Sequence, residues 1–159
     1  MLRKQVLQHP PVAETMPGEI PVAAVATVLV TSETVDQPIE HAFDTHRGPG
    51  GTRWEAEATG EQTVILAFDA PQRLSKVTVE VEEQAVSRTQ VLVLAISNDG
   101  GQTYRELVRQ EYNFSPPATT FEREQWAVTA EMVTHLRLLI KPDKGGKSCK
   151  ATLTSFVLQ

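Results

Sequence analysis

The chain has 159 residues, a formal net charge of −5 at pH 7, 40% apolar residues and 22% charged residues. This length and composition suit one folded domain with a substantial core, and they exclude an intrinsically disordered chain. The longest apolar stretch, residues 22–30, contains a threonine and has about half of the roughly 20 residues that a membrane-spanning helix needs.

Charge and cysteine content exclude further classes. The acidic balance argues against non-specific nucleic-acid binding, which depends on lysine and arginine meeting phosphate. The single cysteine, Cys149, excludes an intrachain disulfide framework and a zinc site of several cysteines. The first residues, MLRKQVLQHPPVAE, have no apolar core of the secretory type. We therefore expect a cytoplasmic protein for which nucleic acid is not a partner.

The first 23 residues differ in composition from the rest. They hold four of the ten prolines, Pro10, Pro11, Pro17 and Pro21. Proline removes a backbone donor and fixes φ, so this segment cannot form a regular helix or a central strand. We expect an extended N-terminal arm over residues 1–23, which packs on its own domain or reaches a partner, followed by a single domain over residues 24–159.

Strand patterns recur through that domain. Residues 74–82 alternate, with Val77, Val79 and Val81 on one face, and residues 90–97 are apolar on both faces, as in a central strand. Helical periodicity is almost absent. The pattern predicts eight short strands, at residues 24–31, 63–69, 74–82, 90–97, 103–111, 125–129, 135–141 and 150–158. The fold class is therefore all-β, a sandwich or a barrel.

Two connections have recognisable turn chemistry. Residues 98–101, Asn-Asp-Gly-Gly, join two predicted strands and are typical of a hairpin, because these residue types tolerate positive φ. Asp36, Gln37 and Pro38 precede the segment IEHAF, which predicts one helical turn with Asp36 as its N-cap and Pro38 in the first turn.

The order of these features resembles a known family. A first strand ends in TSE, a short turn with AFD follows, and a glycine-rich loop leads into TRW; then come TVILAFD, PQRLSKVTV, SNDGGQTY and VTHLRLLIKP. Over residues 24–159 this is similar to the galactose-binding-like domain, also called the discoidin or coagulation-factor-five/eight C-type domain, which many carbohydrate-binding modules share. The resemblance implies an eight-stranded jelly-roll sandwich of two antiparallel sheets.

The resemblance also implies a calcium site. In that family the ion is held by the loop after the first strand and often by a glutamate of the last strand; the matching loop residues here are Asp44 and Thr52. The last strand has Thr154 and Ser155 where the glutamate is expected, and a hard cation usually needs more than one carboxylate. Calcium is therefore one interpretation of Asp44, and capping of the glycine-rich turn by its side chain is the other.

No catalytic arrangement is recognisable. Cys149 and His135 have no spacing that joins them as nucleophile and base, and Glu80, Glu82 and Glu83 are interpreted as a solvated strand face. Phosphate-binding, metalloprotease and serine-hydrolase motifs are absent from the sequence. We expect a protein that is not an enzyme.

The loops carry the candidate ligand-binding residues. Trp54 and Trp126 are expected in the core rather than as sugar-stacking platforms. Sugars need planar hydrogen-bond donors and an aromatic face, and the loop residues of these types are His46, Arg47, Arg53, Arg88, Tyr112, Asn113 and Phe114. The alternative is that these are ordinary loop residues.

One basic cluster is dense. Lys141, Lys144, Lys147 and Lys150 surround two glycines, Gly145 and Gly146. Such a loop could meet phosphate, a sulfated glycan or an acidic partner, or it could be a solvated hairpin tip that protects a sheet edge.

Two functional hypotheses follow. The first is a non-catalytic carbohydrate-binding module that uses loops at one end of the sandwich. The second is an intracellular interaction module on the same fold, similar to the N-terminal domain of the X-ray repair scaffold protein, which binds partner proteins through a sheet face. An exposed apolar sheet face would favour the second hypothesis, and a polar concave loop end would favour the first.

Overall fold

The computed structural model describes residues 16–159 and is almost entirely β. One turn of α-helix, α1, covers Val22–Val25, and a 3₁₀ turn covers Ile39–Ala42. Neither helical segment of the described range could cross a membrane. The strands are β1 (Ala26–Val30), β2 (Trp54–Thr59), β3 (Gln62–Glu82), β4 (Arg88–Ser97), β5 (Arg105–Phe114), β6 (Phe121–Lys141), β7 (Lys150–Leu153) and β8 (Ser155–Leu158).

All strand pairs are antiparallel. The larger sheet has the order β1-β3-β6-β4-β5, with β8 also paired to β3, and β2 pairs with β7 in a separate two-stranded sheet. The first half of β3 pairs with β1 and with the second half of β6, whereas its second half pairs with β8 and with the first half of β6. The long strands β3 and β6 therefore belong to both layers of a sandwich.

Both long strands bend where they change layers. In β3 the register with β6 shifts repeatedly between Ala67 and Lys76, and in β6 Met132 adopts a φ of 56°. Bulges and bends of this kind allow a strand to turn a corner between packed sheets. The predicted all-β jelly-roll sandwich is confirmed.

The core lies between the two layers. Leu66, Leu94 and Leu138 contribute from one layer, Val79 and Phe156 from the other, and all five are at most 2% exposed. In β1 and in the first half of β3, less exposed residues alternate with more exposed ones, as expected for strands with one face toward the core.

The strand predictions are mostly confirmed, with different boundaries. Residues 90–97 form the central strand β4, between β5 and β6. Residues 63–69 and 74–82 are two halves of β3, and residues 125–129 and 135–141 lie within β6. The predicted last strand is divided at Thr154, whose N–H donates to the carbonyl of Glu80.

Two local predictions are wrong in part. The strand expected from residue 24 begins at Ala26, because the N–H groups of Ala24 and Val25 both donate to Pro21 in α1. The 3₁₀ turn forms as predicted, but Asp36 is not its cap. Instead a carboxylate oxygen of Glu33 accepts the N–H of Ile39 at 2.8 Å, so a residue further upstream satisfies the first free donor.

The predicted arm is only partly covered by the structure, since residues 1–15 lie outside the described residues. Within the described part, the N–H of Ile20 donates to the carbonyl of Leu158 at 2.8 Å, and the side chain of Gln159 donates to the carbonyl of Pro17. Residues 17–20 thus lie against the C-terminal strand β8.

Candidate functional site

Loops from distant parts of the chain meet at one end of the sandwich, which we call the loop end. It consists of residues 43–53, 83–87, 115–120 and 142–149, the connections before β2, between β3 and β4, between β5 and β6, and between β6 and β7. Direct bonds join them: the N–H of Glu83 donates to Thr120 at 2.8 Å, and the Lys147 amine donates to the carbonyl of Ser87 at 2.6 Å. The opposite end, with the β4–β5 hairpin, is called the hairpin end.

The glycine-rich loop, residues 44–52, is held by side chains at its own ends. A carboxylate oxygen of Asp44 accepts the N–H of His46 at 3.0 Å, and the other accepts the hydroxyl of Thr52. The imidazole of His46 lies 3.7 Å from the same carboxylate and is 41% exposed. A cavity of about 270 Å³ opens along residues 46–52, with His46 on its wall.

The same loop lies on two glutamates of β3. Glu80 accepts the N–H of Gly48 and Glu82 accepts the N–H of Gly50, each at 2.9 Å. The two glutamates are only 2% and 8% exposed, so the prediction that they form a solvated strand face is wrong. The reason is that the loop folds back over this face, which the alternation of β3 alone could not reveal.

The two other basic residues of this loop are arranged differently. The guanidinium of Arg47 is 2% exposed and pairs with Glu19 at 2.5 Å, so the loop is also joined to the N-terminal segment. Arg53 is 43% exposed and lies 3.6 Å from Glu55. Of the three candidate residues in this loop, His46 and Arg53 therefore face solvent, while Arg47 is mostly covered.

Arg88 is buried beneath the loop end. Its side chain is 0% exposed and donates to Glu83, to Gln90, to the carbonyl of Pro142 and to the hydroxyl of Thr152, at 2.7 to 3.0 Å. Desolvation opposes ionisation of Glu83, but the backbone N–H of Ala85 and the Arg88 guanidinium together hold the pKa of Glu83 below its ordinary value. Arg88 therefore joins three parts of the chain and does not present itself to a surface ligand.

The candidate residues of β5 are divided by the strand alternation. Tyr112 and Phe114 are 2% and 3% exposed and point into the core, whereas Asn113 between them is exposed. Burial, followed by the charges of Glu124 and Glu122, raises the pKa of Tyr112. The expectation that Tyr112 and Phe114 provide an aromatic face to a ligand is not met, because the strand extends through Phe114 rather than ending before Tyr112.

Asn113 lies at the surface beside the basic loop. Its side-chain oxygen accepts the hydroxyl of Thr89 at 2.7 Å, and the N–H of Lys144 donates to the carbonyl of Thr89. The amine of Lys144 pairs with Glu111 at 2.7 Å. Through Thr89, Asn113 is thus connected to the basic loop.

Asp143 shapes the basic loop. Its carboxylate accepts the N–H groups of Thr89 and Lys147, at 3.0 and 2.9 Å. These backbone donors, that of Thr89 first, hold the pKa of Asp143 below its ordinary value. A second cavity, of about 260 Å³, lies between residues 59–61 and residues 141–148. The sequence analysis missed Asp143, although an aspartate before a Lys-Gly-Gly turn was a usable signal.

The tryptophans occupy the positions expected of them. Trp54 is 0% exposed, with its indole N–H donating to the carbonyl of Ser32 at 3.0 Å, and Trp126 packs partly buried against the core.

Cys149 and His135 lie at opposite ends of the sandwich. His135 pairs in register with Ser97 at the hairpin end, whereas the carbonyl of Cys149 accepts the N–H of Gly60 beside the loop end. Burial raises the pKa of the Cys149 thiol, which disfavours the thiolate. The two side chains therefore cannot act as nucleophile and base.

The side chains that would hold a metal ion are bonded to one another within the loop. Asp44 and Thr52 bond to each other, and Asp44 also accepts the N–H of His46, so its carboxylate oxygens are engaged within the loop. Among residues 16–159, no three histidine, cysteine, aspartate or glutamate side chains gather closely enough to hold a metal ion. The loop side chains as arranged do not fit the multi-carboxylate set that a calcium ion prefers.

Neither protein-family models nor curated proteins give a match to the sequence. Solved structures do match in fold. One is the family 32 carbohydrate-binding module of NanJ from Clostridium perfringens, solved with galactose, with a TM-score of 0.59 and 12% identity over 88% of this chain and 96% of that one.

Two further matches have the same architecture. The family 32 module of AlyQ, solved with 4,5-unsaturated mannuronic acid, has a TM-score of 0.58 and 14% identity over 85% of this chain and 95% of that one. Chitosan-binding module 1 of a chitosanase/glucanase from Paenibacillus sp. IK-5 has a TM-score of 0.57 and 18% identity, covering 88% and 98%. The chain therefore has the galactose-binding-like fold of these modules, as the sequence resemblance implied.

Proposed function

We propose that this chain is a non-catalytic carbohydrate-binding module that holds its ligand at the loop end. The observation that carries the proposal is a pair of open cavities at the loop end. One, of about 270 Å³, lies along residues 46–52 with the exposed imidazole of His46 on its wall, and the other, of about 260 Å³, lies between residues 59–61 and 141–148. These volumes are close to the lower limit of roughly 300 Å³ for small-molecule sites, which suits one or two sugar units.

His46 and Asn113 are the candidate residues best placed to contact a sugar. The imidazole of His46 is 41% exposed at the cavity in the glycine-rich loop. The side-chain oxygen of Asn113 is occupied by Thr89, so its amide group is left to donate. Imidazole and carboxamide groups are suited to sugar hydroxyls, which both donate and accept hydrogen bonds.

The fold supports this proposal by analogy only. The similar modules were solved with a neutral sugar, with a sugar acid and as a chitosan-binding domain. Their ligands differ in charge, so the fold alone does not select a ligand, and the side chains of the loop end must do so.

A glycan array tests the proposal. The purified protein is applied to arrays that include galactosides, uronic acid oligosaccharides and glucosamine oligosaccharides. We expect saturable binding to one of these classes, reduced at least about tenfold by His46→Ala or Asn113→Ala, the loss of one or two hydrogen bonds. The control is Gln102→Ala, an exposed residue at the hairpin end. Absence of binding, or equal loss in the control, would contradict the proposal.

A further inference from the structure

The glycine-rich loop is fastened to the sheet through its backbone donors. Gly48 donates to Glu80 and Gly50 donates to Glu82, both across 2.9 Å. Glu80 and Glu82 are two residues apart on β3 and so project from the same face of the strand. The two loop donors are likewise two residues apart, so the spacing of the donors along the loop matches the spacing of the acceptors along the strand.

The glycines make this geometry accessible. Gly48 and Gly50 have φ values of +87° and +79°, which L residues with side chains rarely adopt. A Cβ added at the neighbouring Gly51 would lie 3.0 Å from the carbonyl oxygen of His46, which is too close for an ordinary contact. The loop therefore needs glycine at these positions to turn back on itself while it donates to β3.

The polarity of these bonds is opposite to that of a cation site. A hard cation is bound by oxygen lone pairs. Here the loop directs N–H groups at two buried carboxylates, whose oxygens accept them, and Glu82 also accepts the side-chain amide of Gln84. Such charge-assisted bonds are stronger than neutral ones, and they compensate the burial of the carboxylates.

The register of the last strand places this contact beside the position where the family has its glutamate. Thr154 and Ser155 stand where the glutamate is expected, and Ser155 lies directly opposite Glu80 in the β3–β8 pair. The hydroxyls of Thr154 and Ser155 find no hydrogen-bond partner within the described part of the chain. The carboxylate at this place therefore comes from the neighbouring strand, and it contacts the loop directly.

We infer that Glu80 and Glu82 form a carboxylate lock that holds the glycine-rich loop in place of a metal ion. The lock positions His46 and buries Arg47, and it needs no divalent cation. Its structural role is independent of the ligand, whereas its consequence for sugar binding rests on the function proposed above.

Limited trypsin digestion tests the lock. The side chain of Arg47 is 2% exposed, so trypsin, which must bind this side chain, can cut at the Arg47–Gly48 bond only when the loop leaves the sheet. The rate of this cut is followed by mass spectrometry for the wild type and for Glu80→Gln/Glu82→Gln. The matched control is Glu57→Gln, an exposed carboxylate on β2.

The expected result has two parts. The double variant is cut at Arg47 at least about tenfold faster than the wild type and the control, because two charge-assisted bonds are weakened. The wild-type rate is the same in millimolar calcium and in EDTA. Faster cleavage of the wild type in EDTA, reversed by calcium, would overturn the inference, as would an unchanged rate in the double variant.

A second measurement needs no variant and covers the case in which the double variant does not fold. Amide hydrogen exchange of the wild type in EDTA is measured by NMR, with the exposed loop residue Ser87 as the reference. The lock predicts protected amides at Gly48 and Gly50, and exchange as fast as at Ser87 would overturn it. If both tests support the lock but the double variant binds sugar normally, the proposed site fails and the lock stands.

Discussion

Arg88 shows how one buried charge can organise a set of loops. Its guanidinium is fully covered and donates to the side chains of Glu83, Gln90 and Thr152 and to the carbonyl of Pro142. A buried cation of this kind is tolerated only when its donors find acceptors. Arg88 therefore stabilises the loop end from within, although its residue type and position also suited a ligand contact.

Replacing Arg88 by methionine tests this role. We expect Arg88→Met to lower the free energy of unfolding by about 3–5 kcal/mol, because Glu83 and the other acceptors lose their partner inside the protein. The measurement is urea denaturation at pH 7. Arg109→Met, which removes an exposed pair with Glu106, is the control and should cost about 0.2–1 kcal/mol. Equal effects of the two substitutions would contradict this assignment.

For Tyr112, in contrast to Arg88, we expect that removing the polar group does not lower stability. Its hydroxyl is buried and has no hydrogen-bond partner among residues 16–159. Removing an unsatisfied polar group leaves stability unchanged or increases it by about 1 kcal/mol. We therefore expect Tyr112→Phe to unfold at the same or a higher temperature in calorimetry, with sugar binding unchanged. A clear loss of either stability or sugar binding in Tyr112→Phe would contradict this expectation.

At the scale of elements, the hairpin between β4 and β5 is built around Asp99. Its carboxylate accepts the hydroxyl of Ser97 at 2.6 Å, the N–H of Thr103 at 2.9 Å and the hydroxyl of Thr103. These bonds, that from Ser97 first, hold the pKa of Asp99 well below its ordinary value of 3.8. The carboxylate therefore stabilises the hairpin in its ionised form.

The sign of the pH dependence follows from this shift. Because the pKa of Asp99 is lower in the folded than in the unfolded state, its ionised carboxylate stabilises the fold at pH values above the unfolded pKa, near 4. This contribution to stability is lost as the pH falls further. Asp99→Asn should therefore lower the melting temperature at pH 7, and the difference from the wild type should narrow below pH 4. Melting curves from pH 2 to 7 check this, and a difference that widens on acidification would contradict it.

Several strands of this fold are predictable from the sequence, and others are not. Alternation and β-branched residues located β4 and both halves of β3, and the turn sequence Asn-Asp-Gly-Gly located the hairpin at residues 98–101. The joining of residues 63–69 and 74–82 into one bent strand was not predictable, because it depends on register shifts against β6. The strand β2 was missed because its sequence, WEAEAT, consists mainly of alanine and glutamate, which are depleted in strands.

At the scale of the whole molecule, the site depends on contacts between residues far apart in sequence. From the sequence, Glu80 and Glu82 are predicted to be solvated, but in the structure residues 44–52 cover them. Arg88 is predicted to be a loop residue, but Pro142 and Thr152 accept its hydrogen bonds in the interior. The candidate residues His46 and Arg53 are at the surface of the loop end, and Asn113 is exposed on β5. Only tertiary packing distinguishes these from Arg88, Tyr112 and Phe114.

The two layers also explain why the ends of the sandwich differ. At the hairpin end, β3 and β6 turn corners between the layers, so backbone strain and packing constrain that end. At the loop end, strands finish and their connections are free to carry polar side chains. Side chains that form a ligand site at the loop end can therefore differ with little change to the contacts of the core.

The most direct test of this account is an NMR titration of the full-length, ¹⁵N-labelled protein. Galactose, a mannuronate oligosaccharide and a glucosamine oligosaccharide are added separately, because NMR detects binding even at millimolar affinity. We expect one of them to shift amide signals in residues 43–53, 83–87 and 142–149 and at Asn113, while the hairpin end stays unchanged. Shifts confined to strands β1, β3 and β4, or no shifts with any of the three sugars, would contradict this expectation.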